Sequence, residues 1–124
     1  MNETSARIDV LPVLPSLDIG ESKRFYSACL GFDEIVFESA DYLIMRRQFC
    51  GAPIELHFWL TDDRSLCERS SVYLRGGGID RLHDEFSRAK VERLSEMRVR
   101  PWNMEEFHLL DPHGNLLKFG RVPQ

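Results

Sequence analysis

The chain has 124 residues, of which 43% are hydrophobic and 29% charged, and its formal net charge is −4. This length suits one compact domain, or two very small halves that share a core. The acidic balance disfavours a general nucleic-acid binder, which would carry a basic patch, and no run of residues is long and apolar enough to span a membrane.

The cysteines indicate a reducing compartment. Cys29, Cys50 and Cys67 are odd in number and show no C-x-x-C pairing, which is typical of free thiols and not of a disulfide scaffold. The polar stretch 1–9 lacks the apolar run of a signal peptide. Together these features predict a cytoplasmic protein.

The first half of the chain predicts a strand, a helix and three more strands. Pro12 interrupts the first strand, residues 8–14, and because proline cannot donate to a ladder this strand should lie at an edge or contain a bulge. Asp18 has the position of a helix N-cap with Glu21 three residues on, and Gly31 marks the end of that helix. The three strands that follow are predicted at residues 32–38, 42–47 and 54–60.

The second half repeats this order. The charged stretch 62–69 is interpreted as a linker, followed by a strand at 71–75, the glycines 76–78 and a helical stripe through 79–89. Two or three strands then lead to Arg121, and the charged residues 92–100 predict only a short edge strand and a loop. Such an order in each half predicts an α+β fold, with mostly antiparallel sheets covered by helices on one face.

The chain ends in a predicted hairpin. Its turn is Asp111-Pro112-His113-Gly114, in which Asp bonds to the backbone ahead, Pro presets its own φ and Gly takes the left-handed position. Short runs that alternate between two faces lie on either side of this turn.

These features resemble the vicinal oxygen chelate superfamily. The resemblance is carried by two β-α-β-β-β halves, by Leu30-Gly31-Phe32 and by Asp111-Pro112-His113-Gly114-Asn115; Pro101-Trp102 and Leu11-Pro12-Val13-Leu14 look most like the bleomycin resistance proteins. It implies one domain of two modules, about residues 7–61 and 70–122, whose curled sheets have helices on the outer face. It also implies sequestration, without chemical change, of a small aromatic and possibly cationic molecule such as bleomycin.

The resemblance further implies a homodimer. Bleomycin resistance proteins exchange their first strand between subunits, with the drug groove at the interface, and Pro12 matches their proline at the exchange position. The alternative is that Pro12 only protects an exposed edge strand.

Enzymes of this superfamily bind a divalent metal through four side chains. The resemblance places these positions at Leu11, Glu55, near Ser71 and at Lys118, of which only Glu55 is a usual ligand, because leucine has no lone pair and an ammonium repels a cation. We therefore expect a binding protein without metal or cofactor. The alternative is a metal-dependent enzyme of the glyoxalase or dioxygenase type that uses Glu55 with His57 or His108.

The face away from the helices is the predicted binding surface. Alternation puts Glu55, His57 and Trp59 on it and their apolar neighbours on the other face. Flat rings stack on aromatic side chains and cations on carboxylates or rings, although Trp59 also suits a core or a dimer interface. Arg75 and Lys118 share this face and leave open an anionic or zwitterionic ligand. The predicted ligand-binding residues are Tyr42, Glu55, His57, Trp59, Trp102, Glu106 and His108.

Overall fold

The computed structural model describes residues 6–124; the stretch 1–9 lies partly outside this range. Two sets of one helix and four strands follow one another, with a short helix between them. In chain order the elements are β1 (Val13–Ser16), α1 (Ile19–Ala28), β2 (Glu34–Glu38), β3 (Tyr42–Phe49), β4 (Ala52–Leu60), α2 (Arg64–Glu68), β5 (Ser71–Arg75), α3 (Ile79–Arg88), β6 (Arg98–Val99), β7 (Glu105–Leu110) and β8 (Leu116–Arg121).

The strands form two open four-stranded sheets of the same design. Their orders are β1-β4-β3-β2 and β5-β8-β7-β6. In each sheet the first and last strands of the set pair in parallel, and the remaining pairs are antiparallel. The predicted α+β fold with mostly antiparallel pairing is confirmed. None of the helices within residues 6–124 has the length and apolar character needed to cross a membrane.

Local signals in the sequence set the ends of α1. The carboxylate of Asp18 accepts a hydrogen bond from the Glu21 backbone N at 2.9 Å, as predicted for an N-cap. Gly31 follows the helix with a φ of 73°, a left-handed conformation that favours glycine. The Glu21 side chain does not close a capping box, because it bonds to His113.

The predicted extent of the first strand was wrong. The strand begins at Val13, after Pro12, and lies at the edge of its sheet. The Pro12 carbonyl still accepts from His57 N at 3.1 Å, but residues 8–11 have no ladder partner among residues 6–124. Ile8 and Val10 are 88% and 93% exposed.

The segment 62–69, predicted to be a linker, contains the helix α2 in the structure, and Cys67 of this helix is fully buried.

A buried polar junction joins the two halves of the chain. Asp111 in the β7–β8 turn accepts from Tyr26 Oη of α1 at 2.8 Å, from the backbone N of His113 and Asn115, and from Asn115 Nδ2. Asn115 Nδ2 also donates to the carbonyl of Pro15 in β1 at 2.8 Å. Burial and the neighbouring Asp111 carboxylate raise the pKa of Tyr26 well above its ordinary value, so the phenol stays a donor. The turn therefore anchors the first half to the second.

We expect Asp111→Ala to lower the free energy of unfolding by at least about 3 kcal/mol, because several buried donors lose their acceptor. Tyr26→Phe removes a single hydrogen bond from the same junction and should cost about 1 kcal/mol. Urea unfolding followed by circular dichroism gives both values. Equal losses for the two variants would contradict the anchoring role of Asp111.

Candidate binding groove between the two sheets

The face of each sheet turned away from the helices carries the candidate site, and we call it the open face. In β4 the buried Leu56 and Phe58 belong to the core, so alternation places Glu55, His57 and Trp59 on the open face, as predicted. Pairing of β3 with β4 adds Tyr42 to this face, directly opposite Trp59.

The first-sheet cluster consists of Tyr42, Arg46, Glu55 and His57. Tyr42 Oη lies 2.9 Å from His57 Nδ1, and His57 Nε2 lies 2.8 Å from Glu55 Oε2. The other oxygen of Glu55 accepts from Arg46 Nη2 at 2.7 Å and from Arg46 Nε at 3.1 Å. The glutamate is thus held by an arginine on one side and a histidine on the other, and both ring nitrogens of His57 are engaged.

The environment of Glu55 favours its ionised form. Burial alone would raise the pKa of this carboxyl, but hydrogen bonds from His57 and Arg46 and their charges outweigh it and hold the pKa below its ordinary value. The hydrogen bonds that Arg46 donates to Glu55 likewise raise the pKa of Arg46. The first-sheet cluster therefore contains a carboxylate whose charge is already balanced.

The second-sheet cluster consists of Tyr73, Trp102, Glu106 and Lys118. Glu106 is 5% exposed and accepts on Oε2 from Tyr73 Oη at 2.8 Å and from Trp102 Nε1 at 3.4 Å. Lys118 Nζ lies 5.6 Å from the centre of the Tyr73 ring. These bonds depend on Gly120, because a Cβ there would lie 2.1 Å from the Tyr73 hydroxyl.

A groove of about 790 Å³ lies between the two sheets. Glu55 and Arg46 line one wall, Tyr73 and Arg75 line the other, and residues 9–12 form a third side. Of the predicted ligand-binding residues only Glu55 lines this groove directly. No hydrogen bond, ion pair or ring contact within residues 6–124 joins the first-sheet cluster to the second.

The remaining predicted residues lie on the open faces around the groove. Trp59 and Trp102 are 38% and 59% exposed. His108 lies opposite Lys118 in the ladder between β7 and β8.

The sequence did not single out Arg46 or the Tyr73–Glu106 bond as part of the site. Arg46 lies opposite Glu55, a pairing that requires the register of β3 with β4. A signal existed for Arg46, since an arginine and a glutamate that face each other on adjacent strands form a common cross-strand pair.

The donor set does not fit the metal centre of the superfamily's enzymes. Leu11 precedes β1 and Lys118 lies in β8, where Tyr73, and not Ser71, is directly opposite it. Within residues 6–124 no group of three or more His, Cys, Asp or Glu side chains is arranged to hold a metal ion. The alternative set of Glu55, His57 and His108 is therefore not brought together by this chain.

We expect Glu55→Gln to cost roughly 1–3 kcal/mol of unfolding free energy at neutral pH, because Arg46 and His57 lose a charged acceptor. A carboxyl whose folded pKa is depressed stabilises the fold above its unfolded value, about pH 4.3, and loses this contribution as the pH falls through the folded pKa. The difference between wild type and variant should therefore shrink on acidification. Urea unfolding at a series of pH values measures it.

Glu34→Gln is the matched control, because Glu34 bonds to the same arginine at 3.0 Å but its side chain is 50% exposed. We expect this change to cost less than about 1 kcal/mol. A Glu55→Gln deficit that stays constant from neutral pH to pH values below the folded pKa would contradict the assigned pKa shift.

Comparison with known proteins gives matches of structure. No protein-family model and no curated protein sequence matches the chain. A bleomycin-binding protein complexed with bleomycin has 25% identity and a TM-score of 0.81, covering 94% of this chain and 100% of its own. The bleomycin-binding protein of Streptomyces verticillus complexed with copper(II)-bleomycin has 25% identity and a TM-score of 0.78, covering 98% and 100%.

A glyoxalase-related enzyme from Clostridium phytofermentans shares the fold, with 17% identity, a TM-score of 0.74 and coverage of 98% of this chain and 100% of its own. The chain thus shares its overall fold with bleomycin-binding proteins and with a glyoxalase-related enzyme. The chain has the fold of the vicinal oxygen chelate superfamily, and these matches support its resemblance to the bleomycin-binding proteins.

Proposed function

We propose that this protein binds a small aromatic molecule and sequesters it without a metal ion, in the manner of a bleomycin resistance protein. The observation that carries this proposal is the open face itself, where a tyrosine or tryptophan accompanies each carboxylate around the groove. At the positions where enzymes of the superfamily bind a metal, the chain has Leu11 and Lys118, which do not coordinate a cation.

The exposed rings support an aromatic guest. Tyr73 is 42% exposed, and both tryptophans expose more than a third of their surface on the open faces. Rings held in place by hydrogen bonds can stack on a guest with little loss of conformational freedom. Trp102 is held in this way, because its indole nitrogen donates to Glu106.

We also propose that the protein is a homodimer in which residues 8–12 pack against a second copy. Ile8 and Val10 are exposed almost completely in the single chain, and Val10 and Leu11 line the groove. Apolar side chains beside an unpaired edge strand favour association.

The three cysteines form no disulfide within the chain, which supports the expected cytoplasmic location.

Titration with bleomycin tests the ligand. The chain has two tryptophans, and both lie on the open faces, so a fluorescence change at micromolar drug would show that bleomycin itself is a guest. We expect Trp102→Leu to weaken binding about tenfold, since the loss of a stacked ring costs on the order of 1 kcal/mol or more. Leu66→Ala, in α2 and 39% exposed, is the control and should bind as wild type does.

Two results would contradict this part of the proposal. A flat fluorescence titration at micromolar drug removes bleomycin as the ligand. Elemental analysis of protein purified without chelators tests metal independence, and stoichiometric Ni, Zn, Mn or Fe would overturn it.

Light scattering coupled to size-exclusion chromatography tests the dimer, and we expect twice the chain mass of 14.4 kDa. Val10→Asp should yield a monomer, because a buried, unpaired carboxylate is costly at an apolar interface. Ile35→Asp, 46% exposed at the opposite edge of the same sheet, should remain dimeric. A monomeric wild type, or a monomer produced by Ile35→Asp alone, would refute this interface.

A further inference from the structure

We propose that the aromatic guest is an anion, whose negative group binds to Arg75, which lines the groove, and to Lys118, which lies beside Tyr73 on the open face of the second sheet. This inference rests on the proposed function, because it specifies the charge of the aromatic molecule that the protein binds. It is carried by the distribution of paired and unpaired charges around Tyr73.

Lys118 lies in β8, an inner strand with β5 on one side and β7 on the other. Its cross-strand neighbours are Tyr73 and His108, and the side chain is partly buried. Within residues 6–124 its ammonium has no carboxylate within salt-bridge distance, and its close contact is the Tyr73 ring. A partly buried cation without a counter-charge loses hydration that an anionic guest would replace.

Arg75 lies near the same ring. Its guanidinium carbon is 5.9 Å from the centre of the Tyr73 ring, and the residue lines the groove. No acidic partner of Arg75 occurs in the described part of the chain, whereas several other arginines around the groove and along the second sheet have one. These paired arginines are Arg7 with Asp9, Arg46 with Glu34 and Glu55, Arg98 with Glu96, and Arg121 with Glu105 and Asp80.

The carboxylates of the site are already engaged by donors of the protein. Glu55 accepts from Arg46 and His57, and Glu106 is buried and accepts from two ring donors. A cationic guest would therefore meet two engaged carboxylates and two unpaired cations. An anionic guest would meet free ammonium and guanidinium donors, which form strong charge-assisted hydrogen bonds with a carboxylate.

The geometry specifies the class of guest. Tyr73 is 42% exposed and its ring centre lies 5.6 Å from the Lys118 ammonium and 5.9 Å from the Arg75 guanidinium carbon, so a flat guest beside this ring brings an attached anionic group near either cation. Simple aromatic carboxylates satisfy this arrangement. The net charge of −4 would not attract such a molecule over long distances, so the local pair of cations must supply the recognition.

Three naphthalene compounds that share the ring and differ in the charge of one substituent test the inference: the anionic carboxylate, the neutral methanol derivative and the cationic methylamine derivative. Isothermal titration calorimetry at low salt measures each affinity. We expect the carboxylate to bind about tenfold more tightly than the alcohol, as one charge-assisted hydrogen bond allows, and the amine to bind most weakly. The preference for the carboxylate should decrease with added salt.

Variants of Lys118 test whether its ammonium group causes the preference for the carboxylate. Lys118→Met should lower affinity for the carboxylate about tenfold and leave that for the alcohol unchanged, and Lys118→Arg should restore most of the loss. Arg98→Met removes a cation of the same sheet that is already paired with Glu96, and it should change neither affinity.

Equal affinities for carboxylate and alcohol, or an equal loss of both in Lys118→Met, would overturn the anionic assignment and leave aromatic binding intact. If none of the three compounds binds, the proposed aromatic binding fails, and this inference fails with it.

Discussion

The buried carboxylate of Asp111 is the interaction on which the rest of the structure depends. It accepts the Tyr26 phenol from the first half of the chain and three donors from its own turn. A charged group without exposure is unfavourable unless its oxygens are satisfied, and here every donor comes from a segment that has to be in place. The positions of α1 and β1 relative to the second sheet follow from this junction.

Two carboxylates of the candidate site are also held by hydrogen bonds from within the protein, but by fewer donors than Asp111. Glu55 and Glu106 are each held by donors from neighbouring strands or loops, so both serve to position rings and an arginine around the groove. Polar groups that are satisfied internally make a rigid surface. The carboxylates thus orient the aromatic side chains, and the unpaired cations are left as the charged groups available to a guest.

Much of the fold could be read from local patterns. The cap at Asp18, the left-handed Gly31 and the turn at 111–114 depend on residues within a few positions of each other, and all are present in the structure. The start of β1 could not be read in this way, because residues 8–11 have a suitable pattern but no ladder partner in the described part of the chain. The pairing of Arg46 with Glu55 likewise depends on a register that the sequence does not reveal.

Position 120 shows how a residue outside the groove can restrict sequence variation at the site. The Tyr73 hydroxyl occupies the space that any larger side chain there would need. An alanine at this point would force the phenol off Glu106 and loosen the indole that shares the same oxygen. Homologues that change groove residues to bind other ligands would therefore still need glycine at this position, as long as they keep the tyrosine whose hydroxyl occupies the space beside it.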